Sequence, residues 1–126
     1  MSNHLHILVS CKEGILLENI FRDFKKYTSK QIVAAIKEMS ESRRDWMLNR
    51  FEYAGKYLNR VKDYKFWQDG NHPVLCGNSE MLDQKLDYIH NNPVKRMLVY
   101  EPHHYAFSSA IDYAGGKGML DILMIR

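Results

Sequence analysis

Seven residues near the start, Asn3-His4-Leu5-His6-Ile7-Leu8-Val9, constrain the fold most. Their aliphatic and β-branched content predicts a strand. Alternate side chains of a strand share a face, so His4 and His6 point the same way, with Cα atoms roughly 6.6 Å apart. Leu5 and Ile7 point the other way, toward an expected core. Two imidazoles on one face suit a single metal ion. They equally suit two surface histidines beside a buried strand, and these residues alone leave both readings open.

The totals bound the rest. A chain of 126 residues with 45% apolar content carries one core, and residues 1–126 are expected to form a single domain. The net charge of +3 is too small to name a partner, so partners must be argued from where the charge lies. Cys11 and Cys76 make no CxxC pair and read as reduced thiols. No apolar run reaches membrane-spanning length, and no signal peptide is apparent. The expectation is a cytoplasmic protein with no membrane partner.

Apolar residues at spacings of three and four predict a helix over 15–39, with Leu17, Phe21, Phe24, Thr28, Ile32 and Ala35 on its inner face. Arg22, Lys26 and Lys30 form a basic row about 200° from the Phe24 direction. Such a row is a solvated face in most helices, and a phosphate-contacting face in some. Ser42-Arg43-Arg44-Asp45 resembles a capping box and opens a second helix over 43–61. Its seam is Met47, Phe51, Ala54, Leu58 and Val61. Beside it run Trp46, Arg50, Tyr53, Tyr57 and Arg60, a row that either stacks on bases and pairs phosphates or merely flanks the core.

Residues 64–68 alternate aromatics and predict a strand, and residues 120–125 predict a last one. Ser79 is the expected N-cap of a third helix over 80–90, stopped by Pro93. Tyr88 lies about 120° from the Leu82 stripe and about 40° from Asn92. If the helix persists, Lys85, Tyr88 and Asn92 share a face away from the core. That spacing presents a tyrosine, or places a half-buried one at the core's rim. Gly115-Gly116-Lys117-Gly118 reads as a turn, with the wrong spacing for a phosphate-binding loop.

Taken together, these stretches resemble the single-tyrosine HUH transposases, in particular the REP-associated tyrosine transposases. Residues 1–9 (Met-Ser-Asn-His-Leu-His-Ile-Leu-Val) are similar to the family's Met-Pro-Asn-His-Val-His-Leu-Leu pattern. Phe24-Lys25-Lys26-Tyr27-Thr28, Phe66-Trp67-Gln68 and Tyr88-Ile89-His90-Asn91-Asn92-Pro93-Val94 resemble further motifs of the family, in the same order. Pro102, Tyr105 and Ser108-Ser109 resemble its ending. The five motifs span nearly the whole chain.

The resemblance implies an α+β, ferredoxin-like antiparallel sheet covered by helices. It is expected in N-terminally shortened form, because the family's usual strand and helix before the HUH strand have no counterpart. Pairing with a second copy, as a homodimer, is one way to cover the edge so exposed. The resemblance also implies cutting and rejoining of single-stranded or hairpin DNA through a 5′-phosphotyrosine. Tyr88 matches the nucleophile, and His4, His6 and Asn92 match the ligands of Mg²⁺ or Mn²⁺. A free phenol is only about 0.1% ionised at pH 7, so bringing that ionisation to neutrality requires roughly 4 kcal/mol. A divalent ion, Lys85 or Lys25 are candidate sources. Arg22, Lys25, Lys26, Lys30, Arg50, Arg60 and Lys85 are the candidate DNA contacts. Two other readings compete: a catalytically inactive DNA-hairpin-binding remnant, and an unrelated metallohydrolase using His4 and His6. The latter needs a water-activating carboxylate, and no such motif stands out.

Overall fold

The structure, a computed structural model, describes residues 3–40 and 42–125. Met1 and Ser2 of the first motif lie outside the described residues. The backbone forms helices α1 (Leu17–Glu38), α2 (Arg44–Gly55), α3 (Ser79–Lys95) and α4 (Ala110–Tyr113), with a 3-10 turn at Pro102–His104. The chain divides into two compact units, residues 10–72 and residues 1–9 with 73–126.

The expected ferredoxin-like antiparallel sheet is absent: no strand occurs among the described residues. A strand exists only where another extended segment completes its ladder. The three stretches read as strands do not pair with one another. The Lys65 N–H donates to the Phe51 carbonyl of α2 (2.9 Å), and the Phe66 ring packs edge-on to Phe51. Residues 64–68 therefore cover helices instead of joining a sheet. The Ile125 N–H donates to the Tyr113 hydroxyl (3.1 Å). Around His4 and His6 the chain forms neither helix nor strand. Leu5 and Ile7, expected in a core, are 55% and 46% exposed.

In the 10–72 unit, α1 packs against α2. Val33 is buried and Phe21, Thr28, Ile32 and Ile36 are partly so, while Phe24 and Ala35 sit farther out than their spacing predicts. The Thr28 hydroxyl donates to the Phe24 carbonyl (2.8 Å) and accepts from the Trp67 indole N–H (2.9 Å), tying residues 64–68 to α1. The expected capping box does not form: Arg43 is the N-cap of α2, with no side-chain cap bond. α2 also ends six residues earlier than its pattern predicts. Gly55 is buried, and a Cβ there would meet Val61 Cγ1 at 2.8 Å. Successive turns, Leu58 N–H to Gly55 O and Val61 N–H to Leu58 O, fold Val61 back over that glycine.

In the other unit, Asn78 rather than Ser79 caps α3, its side chain accepting from the Met81 N–H (2.8 Å). α3 then runs through Pro93, which was expected to stop it. Proline removes one N–H and disfavours helical geometry in the residue before it. The following turn compensates. Arg96 N–H reaches Asn92 O, Met97 N–H reaches Val94 O, and Leu98 N–H reaches Pro93 O. The last two bonds form a Schellman closure with Met97 at φ 55°. α4 closes the same way, with Gly115 at φ 86°, Gly115 N–H to Asp112 O and Gly116 N–H to Ile111 O. Leu86, His90, Pro93 and Ala110 are buried in this unit.

Candidate functional site

The persistence of α3 decides where the site residues meet. Tyr88 and Asn92 stand one turn apart on a continuous helix, a spacing that makes side chains neighbours. Tyr88 is 49% exposed and Asn92 is 7% exposed. The N-terminal segment carries His4 and His6 with ring centroids 4.9 Å apart, edge to face. His6 meets both helical residues. Its ring lies 5.6 Å from the Tyr88 ring, and its Nε2 lies 3.2 Å from the Asn92 amide nitrogen. All four residues belong to the same compact unit.

The hydrogen bonds orient the imidazoles. His4 Nδ1 pairs with Asn3 Oδ1 (2.7 Å), so Nδ1 donates and the Nε2 lone pair is left for a ligand. His6 presents Nε2 toward Asn92. Burial, then the neighbouring His4, holds the His6 pKa below the ordinary 6.5, which favours the neutral, ligating imidazole.

Two nitrogen donors and a carboxamide fit Mn²⁺ readily and Mg²⁺ tolerably. Two ligands at about 2.1 Å from one ion, at about 90–100° to each other, stand about 3.0–3.2 Å apart. The His6–Asn92 separation of 3.2 Å matches, and turning the amide over presents Oδ1 in place of Nδ2. Among the described residues no three of His, Cys, Asp or Glu come together as a metal-holding group. The residues that would hold an ion here are His4, His6 and the Asn92 amide.

The sequence offered a divalent ion, Lys85 or Lys25 as candidate sources of phenol ionisation. The Lys95 ammonium, two turns after Tyr88, lies 5.9 Å from the Tyr88 ring centroid. The signal was an i, i+7 spacing, hidden because Pro93 was read as the helix end. Lys25 donates to the Gln68 and Gly70 carbonyls (3.3 and 3.0 Å), a structural commitment. Arg60 pairs with Asp69, and Arg22 pairs with Asp23 and Asn19. Lys26, Lys30 and Arg50 stand exposed on their helices, and Lys85 is half-buried.

Sequence reasoning also left Phe107, Ser108 and Ser109 without a role. They line a hollow of about 90 Å³ with His4, His6 and Tyr105. His90, 6% exposed, fastens this wall: its Nε2 lies 2.9 Å from the Ser109 hydroxyl, and its ring lies 5.1 Å from Tyr113. Comparison with known protein families, with characterised proteins and with solved structures finds no match to this chain. No helix among the described residues is long and apolar enough to cross a membrane.

Proposed function

We propose that the chain is a metal-dependent DNA transposase domain that cuts and rejoins single-stranded or hairpin DNA with Tyr88 as nucleophile. The observation that carries this reading is the meeting of His6 with both Tyr88 and Asn92, residues 82 and 86 positions away in the chain. An exposed tyrosine beside two oriented imidazoles and a buried carboxamide suits phosphoryl transfer better than packing.

The Tyr88 oxygen attacks the scissile phosphorus, a new phosphorus–oxygen bond forms, and the 3′-oxygen leaves as a hydroxyl. The product is a 5′-phosphotyrosine, which keeps the phosphoester bond energy for rejoining. The phenolic proton must leave as the bond forms, because ordinary phenols are almost fully protonated at neutral pH. The Lys95 ammonium, 5.9 Å from the Tyr88 ring centroid, is a cation beside the attacking residue. Mg²⁺ or Mn²⁺ held by His4, His6 and Asn92 would polarise a phosphate oxygen and stabilise charge in the transition state.

A denaturing gel of the protein with 3′-end-labelled hairpin DNA, in Mn²⁺ and in chelator, tests the reading. The expected result is label at protein mass in Mn²⁺ only, absent in Tyr88→Phe and reduced in His4→Ala. Free cleaved DNA without adduct would point to a hydrolase. DNA binding with neither adduct nor cleavage would point to an inactive hairpin-binding protein.

A further inference from the structure

The row Trp46, Arg50, Tyr53 and Tyr57 does not flank a core. Met47, Leu48, Phe51 and Gly55 take the inner side of this segment. Trp46, Tyr53 and Tyr57 are 60%, 70% and 77% exposed, so three large rings forgo burial. Cations attend two of them: the Arg50 guanidinium lies 5.8 Å from the Trp46 ring, and the Lys56 ammonium 5.7 Å from Tyr57. Beside the row lies an open cleft of about 790 Å³, lined by Lys37, Lys56, Lys62, Tyr53 and Tyr64. The Lys37 ammonium stands 4.6 Å from the Tyr64 ring. Glu52 and Asp63 are the acids of this cleft.

Faces of aromatic rings stack on any base, and interleaved ammonium and guanidinium groups pair with phosphates. Three lysines against two carboxylates leave the cleft net positive, with Arg50 on the row beside it, and such a surface attracts a polyanion. We propose that this face of the 10–72 unit is a sequence-tolerant contact for single-stranded DNA, made by residues other than those of the tyrosine site. Trp46, Tyr53 and Tyr57 stack on bases, and Lys37, Arg50, Lys56 and Lys62 hold phosphates. The choice of single-stranded DNA as the ligand rests on the function proposed above. The rings and cations by themselves select a flexible, base-bearing polyanion over a duplex, whose bases are already stacked.

The test measures binding in a chain that cannot cut. Full-length Tyr88→Phe protein is titrated against a fluorescent unstructured oligothymidine, with anisotropy as the readout. Trp46→Ala and Tyr53→Ala should each weaken binding about tenfold. Trp46→Phe and Tyr53→Phe, which keep a ring, should stay near the parent. Lys37→Gln with Lys56→Gln should lower the slope of log affinity against log salt by about 1.4. Circular dichroism confirms that each variant is folded. Unchanged affinity in folded Trp46→Ala and Tyr53→Ala overturns the proposal. So does poly-aspartate competing as well as the oligonucleotide, since charge alone would then explain binding. Adduct formation by the parent chain is read separately, so failure of the cleavage reading leaves this outcome intact.

Discussion

Replacing Asn92 by leucine separates a metal ligand from a structural residue. Asn92 is 7% exposed, and its amide bond to His6 is long at 3.2 Å. A bond of that kind nets about 0.5–1.5 kcal/mol. His6 stays accessible to water, so its ring nitrogen is not left buried without a partner. Leucine keeps asparagine's branched shape with larger terminal groups, and its buried apolar atoms offset roughly 1 kcal/mol or more of the loss. The stability change should therefore lie within about 1 kcal/mol of zero, a Tm shift under about 5 °C. Mn²⁺ affinity should nevertheless fall at least about tenfold, as it does when even the groups that support a metal's ligands are removed. Thermal unfolding by circular dichroism and Mn²⁺ titration by electron paramagnetic resonance read the two quantities independently. A Tm loss beyond about 10 °C would make Asn92 a packing residue. Unchanged Mn²⁺ affinity in a folded variant would remove it from the ligand set.

Other perturbations test the frame that presents the site. Met97 holds a left-handed conformation at φ 55° with a side chain 92% exposed, so Met97→Gly should stabilise α3 by about 1 kcal/mol in chemical denaturation. Destabilisation would show that its side chain packs after all. Gly115 closes α4 at φ 86°, and Gly115→Ala should cost about 1 kcal/mol in the same assay. Thr28→Val removes the acceptor of the Trp67 indole N–H and should cost about 1–3 kcal/mol, with a shift in Trp67 fluorescence. Asp69 is hydrogen-bonded by Lys65 and attended by Arg60, which hold its carboxyl below the ordinary 3.8. A carboxyl depressed on folding stabilises above 3.8 and loses that contribution as pH falls through its folded value. Asp69→Asn should therefore lower Tm at pH 7 and leave it unchanged near about pH 2; an equal loss at both would refute the ion pair.

The local chemistry of the site was legible in the chain. The alternation of His4 and His6 requires one shared face in any extended backbone, with or without a sheet. The four-residue step from Tyr88 to Asn92 requires adjacency on any helix. The part of the aromatic–basic row that lies on α2, Trp46, Arg50 and Tyr53, follows equally from spacing. Tertiary structure decided what local pattern cannot: whether an extended segment finds a partner, and where a helix stops. Residues 64–68 have strand composition, yet Lys65 and Trp67 found acceptors on α1 and α2, so no ladder formed. Pro93 carries a strong local stop signal, yet the Schellman closure beyond it satisfied the chain and kept α3 whole. That continuity brought Lys95 to Tyr88 and Asn92 to His6. For residues 64–68, hydrogen-bond partners distant in sequence outweigh local propensity, because strand propensities span only about 1 kcal/mol while a buried unpaired group costs about 1–3 kcal/mol.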